Sequence, residues 1–399
     1  MHISELIRSL SDELEQHTLE IRHTIHQNPE LSYHETETSR LVCRELERIG
    51  IPYKESPCKP GIIGCIDSGK PGRSLLLRAD MDALPIQERT GLPFASKVPG
   101  VMHACGHDIH TANLLAVAEI LNRTRDQWQG KVTLVFQPAE ENGGGGREMI
   151  KAGLMDELPD ACFALHVENG IPGTLVVGNR YLTAYSDGYT LTVRGKAAHS
   201  STPEEGVDAI YIASSIVTAL HGISSRNLSP MDRSTLNIGV IHGGMAPNII
   251  ADEVTLGLMM RNLSKESREA MIEKIETLSR GIAEAMGGSC ELAFRAGYPA
   301  VYNDEPFSDF VSDTFRKYAG SIYAGLGDGQ PADWLLTGDR PLLGAEDFGF
   351  YSQKAPSCLI WVGVGGSAPK HSSDFCVDER YIKLCTRSMA AVALEFLTR

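Results

Sequence analysis

A break in the hydrophobic pattern constrains the fold of this 399-residue chain more than any other feature. Up to Ser186, short apolar runs at 61–66, 74–79, 131–136 and 161–167 alternate with helical stretches at 111–122 and 145–152. That alternation predicts a helix-flanked, largely buried sheet. The first 49 residues precede it as two amphipathic helices broken at Asn28-Pro29. From Ser186 to Tyr298 the order becomes strand, helix (207–220), two strands (235–241 and 253–261), helix (265–286), and a last strand near 290–294. This is the split βαβ order of a ferredoxin-like unit. Helix and strand alternate again after Tyr298, ending in a strand at 358–364 and a helix at 379–398. The expected architecture is therefore α/β: a discontinuous main domain, 1–185 and 299–399, with an inserted α+β domain at 186–298. The length accommodates two domains.

Charge and cysteine usage narrow the classes of partner. The chain carries 37 Lys+Arg against 51 Asp+Glu, a net charge of −14, without a basic run. The electrostatic footprint for nucleic acid or an anionic membrane is missing, so neither partner is expected. Nine cysteines, an odd number without CxxC pairs, argue against a disulfide framework and suit a reducing compartment. The N-terminal residues lack a basic and apolar leader, and no stretch reaches about 18 apolar residues, so the cytoplasm is the expected location.

Sites in α/β proteins tend to form in the loops after strands. Four such loops are chemically unusual: Asp80-Met81-Asp82, His103-Ala104-Cys105-Gly106-His107-Asp108-Ile109-His110, the pair Glu140-Glu141, and His166 closing another apolar run. An isolated His or Cys is usually a core or capping residue. Together, a thiol, imidazoles and paired carboxylates make a borderline-soft donor set that Zn²⁺, Mn²⁺, Co²⁺ or Ni²⁺ would accept. Neighbouring carboxylates project in different directions, so one can bind metal while the other serves as proton shuttle. The plainer reading of Glu140-Glu141 is an acidic pair favouring the dipole of the helix near Gly145. The glycines at 143–146 show no GxxxxGK[ST] pattern and sit beside two carboxylates, so a phosphate cradle is set aside.

The strings Leu77-Arg78-Ala79-Asp80-Met81-Asp82-Ala83-Leu84-Pro85, Met102-His103-Ala104-Cys105-Gly106-His107-Asp108, Phe136-Gln137-Pro138-Ala139-Glu140-Glu141 and Gly344-Ala345-Glu346-Asp347-Phe348 make the sequence specific. In these motifs and their order, over nearly the whole chain, it resembles the metal-dependent amidohydrolases that include hippurate hydrolase, N-acyl amino acid deacylases and indole-acetyl amino acid hydrolases. This branch is related to the co-catalytic zinc aminoacylases and carboxypeptidases.

The resemblance implies a dimetal catalytic domain with an inserted lid that is often the dimerisation domain, hence a homodimer or higher homo-oligomer. It places the metal ligands on Cys105, His107, Glu141, His166 and His371, and five ligands imply two divalent transition-metal ions. Either Cys105 or His107 lies near the relatives' bridging position. Glu140 matches the general base and Asp82 an acidic residue that orients the metal site. In the insert, Gly195-Lys196-Ala197-Ala198-His199-Ser200-Ser201 matches the lid motif whose His stabilises the oxyanion, and Asn248 and Arg261 fall where relatives bind the substrate's carboxylate. Here the sequence departs from the pattern, with Ala251 before Asp252 where Pro is common and Asn262 after Arg261 where Thr is frequent. His23, His26, His103 and His110 are structural by default. The implied activity is hydrolysis of N-acyl amino acids, with a dipeptidase or carboxypeptidase, or a non-catalytic metal scaffold, as alternatives.

Overall fold

The computed structural model describes residues 3–399. Contacts divide the chain into two units: one takes in the chain up to Leu182, Tyr302–Arg340 and Asp347–Arg399, the other Thr183–Val301 and Pro341–Glu346.

In the first unit, strands with hardly an exposed residue set the architecture. Ser74–Asp80, Ala161–Glu168 and Ser357–Gly363 are buried along almost their whole length. Such runs fit a sheet covered on both faces. Ser74–Asp80 pairs in parallel with Lys131–Gln137 on one side and Ala161–Glu168 on the other, and Ala161–Glu168 in turn pairs in parallel with Ser357–Gly363. Antiparallel Ile62–Asp67 and Tyr53–Glu55 extend one edge; Leu175–Gly178 and Leu335–Gly338 extend the other, making eight strands. The short strands Tyr53–Glu55, Leu175–Gly178 and Leu335–Gly338 carried no expectation, since three or four residues leave little periodicity to read. Helices Ile3–Gln27, His107–Arg123 and Ile382–Leu397 pack together and share one core with the sheet.

One boundary differs in a way that matters. The helix expected at 111–122 begins a turn earlier, at His107. Its first turn holds the buried polar residues His107, Asp108 and His110, which hide the apolar stripe. Gly106 precedes it at φ 87°, where an added Cβ would stand 2.3 Å from a methyl of Val167. Only glycine supplies both that conformation and that approach.

The second unit has its own core beneath an antiparallel four-stranded sheet, ordered Ser234–Gly243, Glu253–Asn262, Tyr185–Arg194, Ser289–Tyr298. Helices Ala209–His221 and Lys265–Ala285 are capped by Asp208 and Ser264. Pro341–Glu346, outside the span 186–298, packs here through Ala184 N–H to Gly344 O and Arg233 to Pro341 O. Its four apolar or glycine residues gave no periodic signal. Among the described residues no helix is long and apolar enough to cross a membrane, and the nine cysteines are free.

Candidate metal centre

The C-terminal ends of the parallel strands, a helix start and a loop bring eight side chains together. Asp80 and Asp82 follow one strand, Glu140 and Glu141 the next, and His166 lies near the end of a third. Cys105 and His107 enter from the start of the His107–Arg123 helix. His371 lies in a loop at φ 63°, its N–H bonded to Ala104 O at 2.9 Å, beside Cys105. Such a conformation is uncommon for a residue with a side chain.

The ligand atoms converge. Cys105 Sγ lies 3.4 Å from His166 Nε2, His107 Nε2 lies 3.9 Å from Glu141 Oε1, and His371 Nε2 lies 3.2 Å from that same oxygen. Cys105, His107 and His166 form one group with ligand atoms within 4.8 Å of one another; Cys105, Glu141 and His371 form a second. The histidines are oriented from behind. His107 Nδ1 donates to Asp82 O at 2.8 Å and His166 Nδ1 to Val167 O at 2.6 Å, which leaves each Nε2 lone pair facing inward. His107 Nε2 and Glu141 Oε1 are both buried without a hydrogen-bond partner. Two lone-pair-bearing atoms left facing one another are costly unless a cation sits between them.

The electrostatics point the same way. Burial, reinforced by the Glu141 carboxylate, pushes the Cys105 thiol up to about 12, so a thiolate here needs compensating positive charge. Burial together with Lys370 holds His166 well below the ordinary histidine value. Burial acts likewise on His107, yet Asp80, Cys105 and Asp82 together outweigh it and raise that histidine well above its usual value. The pocket thus attracts positive charge. The residues present fit two divalent ions.

The acidic pair is split by its backbone. Asp82 Oδ1 accepts the N–H of Glu140 and Oδ2 that of Glu141, each at 3.0 Å, while Ser32 Oγ donates to Oδ2 at 2.7 Å. Burial opposes ionisation of Asp82, but these donors and His107 hold its carboxyl below the ordinary value. Ala139, immediately before the pair, has φ 56°.

Some sequence candidates stand outside this cluster. His110 is saturated: Nδ1 binds Asp80 Oδ1 at 2.6 Å and Nε2 accepts the Val167 N–H at 2.9 Å. His26 is held by Asp108 and Glu88, and His23 stacks on Phe94. His103 is buried and hydrogen-bonded through neither nitrogen. His199, Asn248 and Arg261 lie in the second unit. The exposed His199 accepts the Ser201 N–H on Nδ1 at 3.2 Å, and Asn248 O accepts the Ser200 N–H. Arg261 is partly buried, with its Nη1 unpartnered. Arg78, Asp80 and Asp347, which stood in the motif strings without an individual role, form a buried ion-pair chain, and Glu35 was marked by no motif.

The profile of the family described as "Peptidase family M20/M25/M40" matches residues 76–395. The chain is 37% identical to "Thermostable carboxypeptidase 2" of Saccharolobus solfataricus, over 99% of both chains. It is 34% identical to "Hippurate hydrolase" of Campylobacter jejuni, covering 94% of this chain and 96% of that one. A solved Bacillus subtilis structure, described as a dinuclear metal binding peptidase from the M20 family, superposes with a TM-score of 0.84 at 31% identity over 97% and 99% of the two chains.

Proposed function

The chain belongs to peptidase family M20/M25/M40, and from that premise we propose that it is a metal-dependent amidohydrolase cleaving the amide bond of N-acyl amino acids, hippurate-like or N-acetyl. The observation that carries this reading is the convergence of buried, unpartnered His107 Nε2 and Glu141 Oε1 beside a second carboxylate, Glu140. Cys105, His107, Glu141, His166 and His371 hold two divalent ions, of Zn, Mn, Ni or Co. When bound, these supply Lewis-acid activation of a water and of the scissile carbonyl.

The chain's own groups do the rest. Glu140 takes a proton from the attacking water and returns it to the nitrogen of the leaving amine as the C–N bond breaks. Asp82 ties the positions of both glutamates to His107, since its carboxylate holds their backbone and its carbonyl holds the imidazole. With Nδ1 of His199 accepting from Ser201, its proton lies on Nε2, the donor needed to stabilise an oxyanion. Asn248 and Arg261 bind the substrate's carboxylate; the unpartnered Nη1 of Arg261 supports its part. We place the enzyme in the cytoplasm, which its free cysteines suit. We also propose that it forms homodimers through the inserted unit, whose edge strand Ser234–Gly243 exposes Val240 and Ile241.

A carboxypeptidase is the second reading, favoured by the 37% identity to the archaeal relative. Parallel assays of hippurate and N-acetyl amino acids against unblocked dipeptides separate the two: preference for blocked substrates supports the amidohydrolase, and preference for free amines the peptidase.

A further inference from the structure

Glu35 stands at the N-cap of helix Thr36–Ile49, yet its side chain makes no cap hydrogen bond. That job falls to Glu30, whose carboxylate accepts the N–H groups of Glu37 and Thr38 at 3.0 and 2.9 Å. Glu35 instead turns inward, fully buried, and its Oε1 accepts the N–H of Ala139 at 2.8 Å. Its Oε2 has no partner. Burial and the nearby Asp82 charge push the Glu35 carboxyl up to about 8. A buried carboxyl with one oxygen unsatisfied is a poor stabiliser. The residue it grips, Ala139, is in the left-handed conformation that a residue with a Cβ rarely adopts. That bend leads straight into Glu140 and Glu141, whose carboxylate oxygens and a ring nitrogen of His107 lie within 4.8 Å of one another.

We infer that Glu35 is a positioning residue for the acidic pair: by accepting the Ala139 N–H it holds the left-handed bend that sends Glu140 to the substrate side and Glu141 to the metals. The inference rests on the reading of Glu140 as base and Glu141 as ligand. From the same segment, Tyr33 grips this loop directly, its hydroxyl donating to Gly143 O at 3.2 Å, and Ser32 indirectly, by donating to the Asp82 carboxylate that accepts the Glu140 and Glu141 N–H groups.

The test uses the full chain and isosteric variants. Glu35→Met keeps the bulk and removes the acceptor, and Glu35→Gln keeps the acceptor. Ala139→Gly in the Glu35→Met background makes the left-handed bend inexpensive without restoring the bond. Each is measured for kcat and KM, for Mn²⁺ affinity by titration of metal-stripped protein, and for thermal midpoint. Glu35→Met should fold with an unchanged midpoint, lose about 10- to 100-fold in kcat or in Mn²⁺ affinity, as outer groups of metal sites typically do, and leave KM within about threefold. Glu35→Gln and the Ala139→Gly double variant should recover most of the loss. A Glu35→Met protein with wild-type kcat and affinity overturns the inference. So does a loss, of activity or of folding, that neither Gln nor Ala139→Gly repairs. Wild type and Glu140→Gln run alongside: an inactive wild type or a fully active Glu140→Gln contradicts the reading of the acidic pair, whereas a silent Glu35→Met beside an active wild type contradicts only this inference.

Discussion

The backbone N–H of Asp347 stands 3.3 Å from Oε1 of Glu140. Asp347 is itself immobilised: Arg78 Nη2 approaches its Oδ1 at 2.6 Å, Gln137 Nε2 reaches both carboxylate oxygens, and the Gly146 N–H donates to Oδ2 at 2.9 Å. A side chain aimed by so rigid a neighbour suits the proton transfer proposed for Glu140.

Glu140→Gln keeps the shape and the contact with Asp347 but removes the base. It should retain its metals and lose about 100-fold or more in kcat, whereas Glu141→Gln should lose metal as well. Activity of Glu140→Gln within about tenfold of wild type would show that the role is misassigned.

Cys105 contributes a ligand atom to both groups described above, and His107 to the one it shares with His166. Elemental analysis of purified protein should find up to two transition-metal ions per chain, and Cys105→Ser or His107→Ala should each lower that number. Unchanged metal content in both variants would remove the ligand assignment.

His26 predicts a pH dependence of stability. Burial and Arg22 oppose its protonation, but Asp108 and Glu88 outweigh them and raise it from 6.5 to about 9. Phe94 and His103 also pack against it without adding negative charge. A raised histidine stabilises fully below its unfolded value, near 6.5, and that contribution disappears as pH rises through about 9. The shift corresponds to at most about 3 kcal/mol. Urea unfolding of wild type and His26→Gln should therefore differ most near pH 6.5 and converge by pH 10; a gap that does not change with pH contradicts the assignment.

His199 carries the oxyanion hypothesis. His199→Ala should leave metal content intact and lower kcat by about 100- to 1,000-fold with a much smaller effect on KM, as for a contact made mainly in the transition state. Mixing inactive His199→Ala with inactive Glu140→Gln then tests whether the histidine acts across a dimer. Recovery of up to about half the wild-type activity per heterodimer means action in trans, and none despite demonstrated subunit exchange means action within one chain.

The parts of this protein that were legible in its sequence are those written in local pattern. Ser74–Asp80 and Ala161–Glu168 stand out because a strand buried on both faces must be apolar throughout, and the inserted unit because its strands alternate instead. The cluster at 103–110 and the acidic pair could be singled out as dense, unusual chemistry. His371 could not: it sits in a polar loop with a half-exposed side chain, and only resemblance pointed to it. The role of Glu35 and the packing of Pro341–Glu346 left no local trace, because both depend on partners far along the chain, 104 residues away in the case of Ala139. The buried chain of Arg78, Asp80 and Asp347 was hidden for the same reason: charged residues read as exposed until their partners are known.

The central claim is that the metals and Glu140 together hydrolyse N-acyl amino acids. Its most direct test is steady-state turnover of hippurate and a panel of N-acetyl amino acids by the purified enzyme, before chelation, after removal of metal, and after Mn²⁺ or Zn²⁺ is restored. The account predicts turnover that vanishes with the metal, returns with it, and does not return in Glu140→Gln. Protein that carries two ions yet hydrolyses none of these amides, or hydrolyses them equally well when stripped of metal, would contradict it.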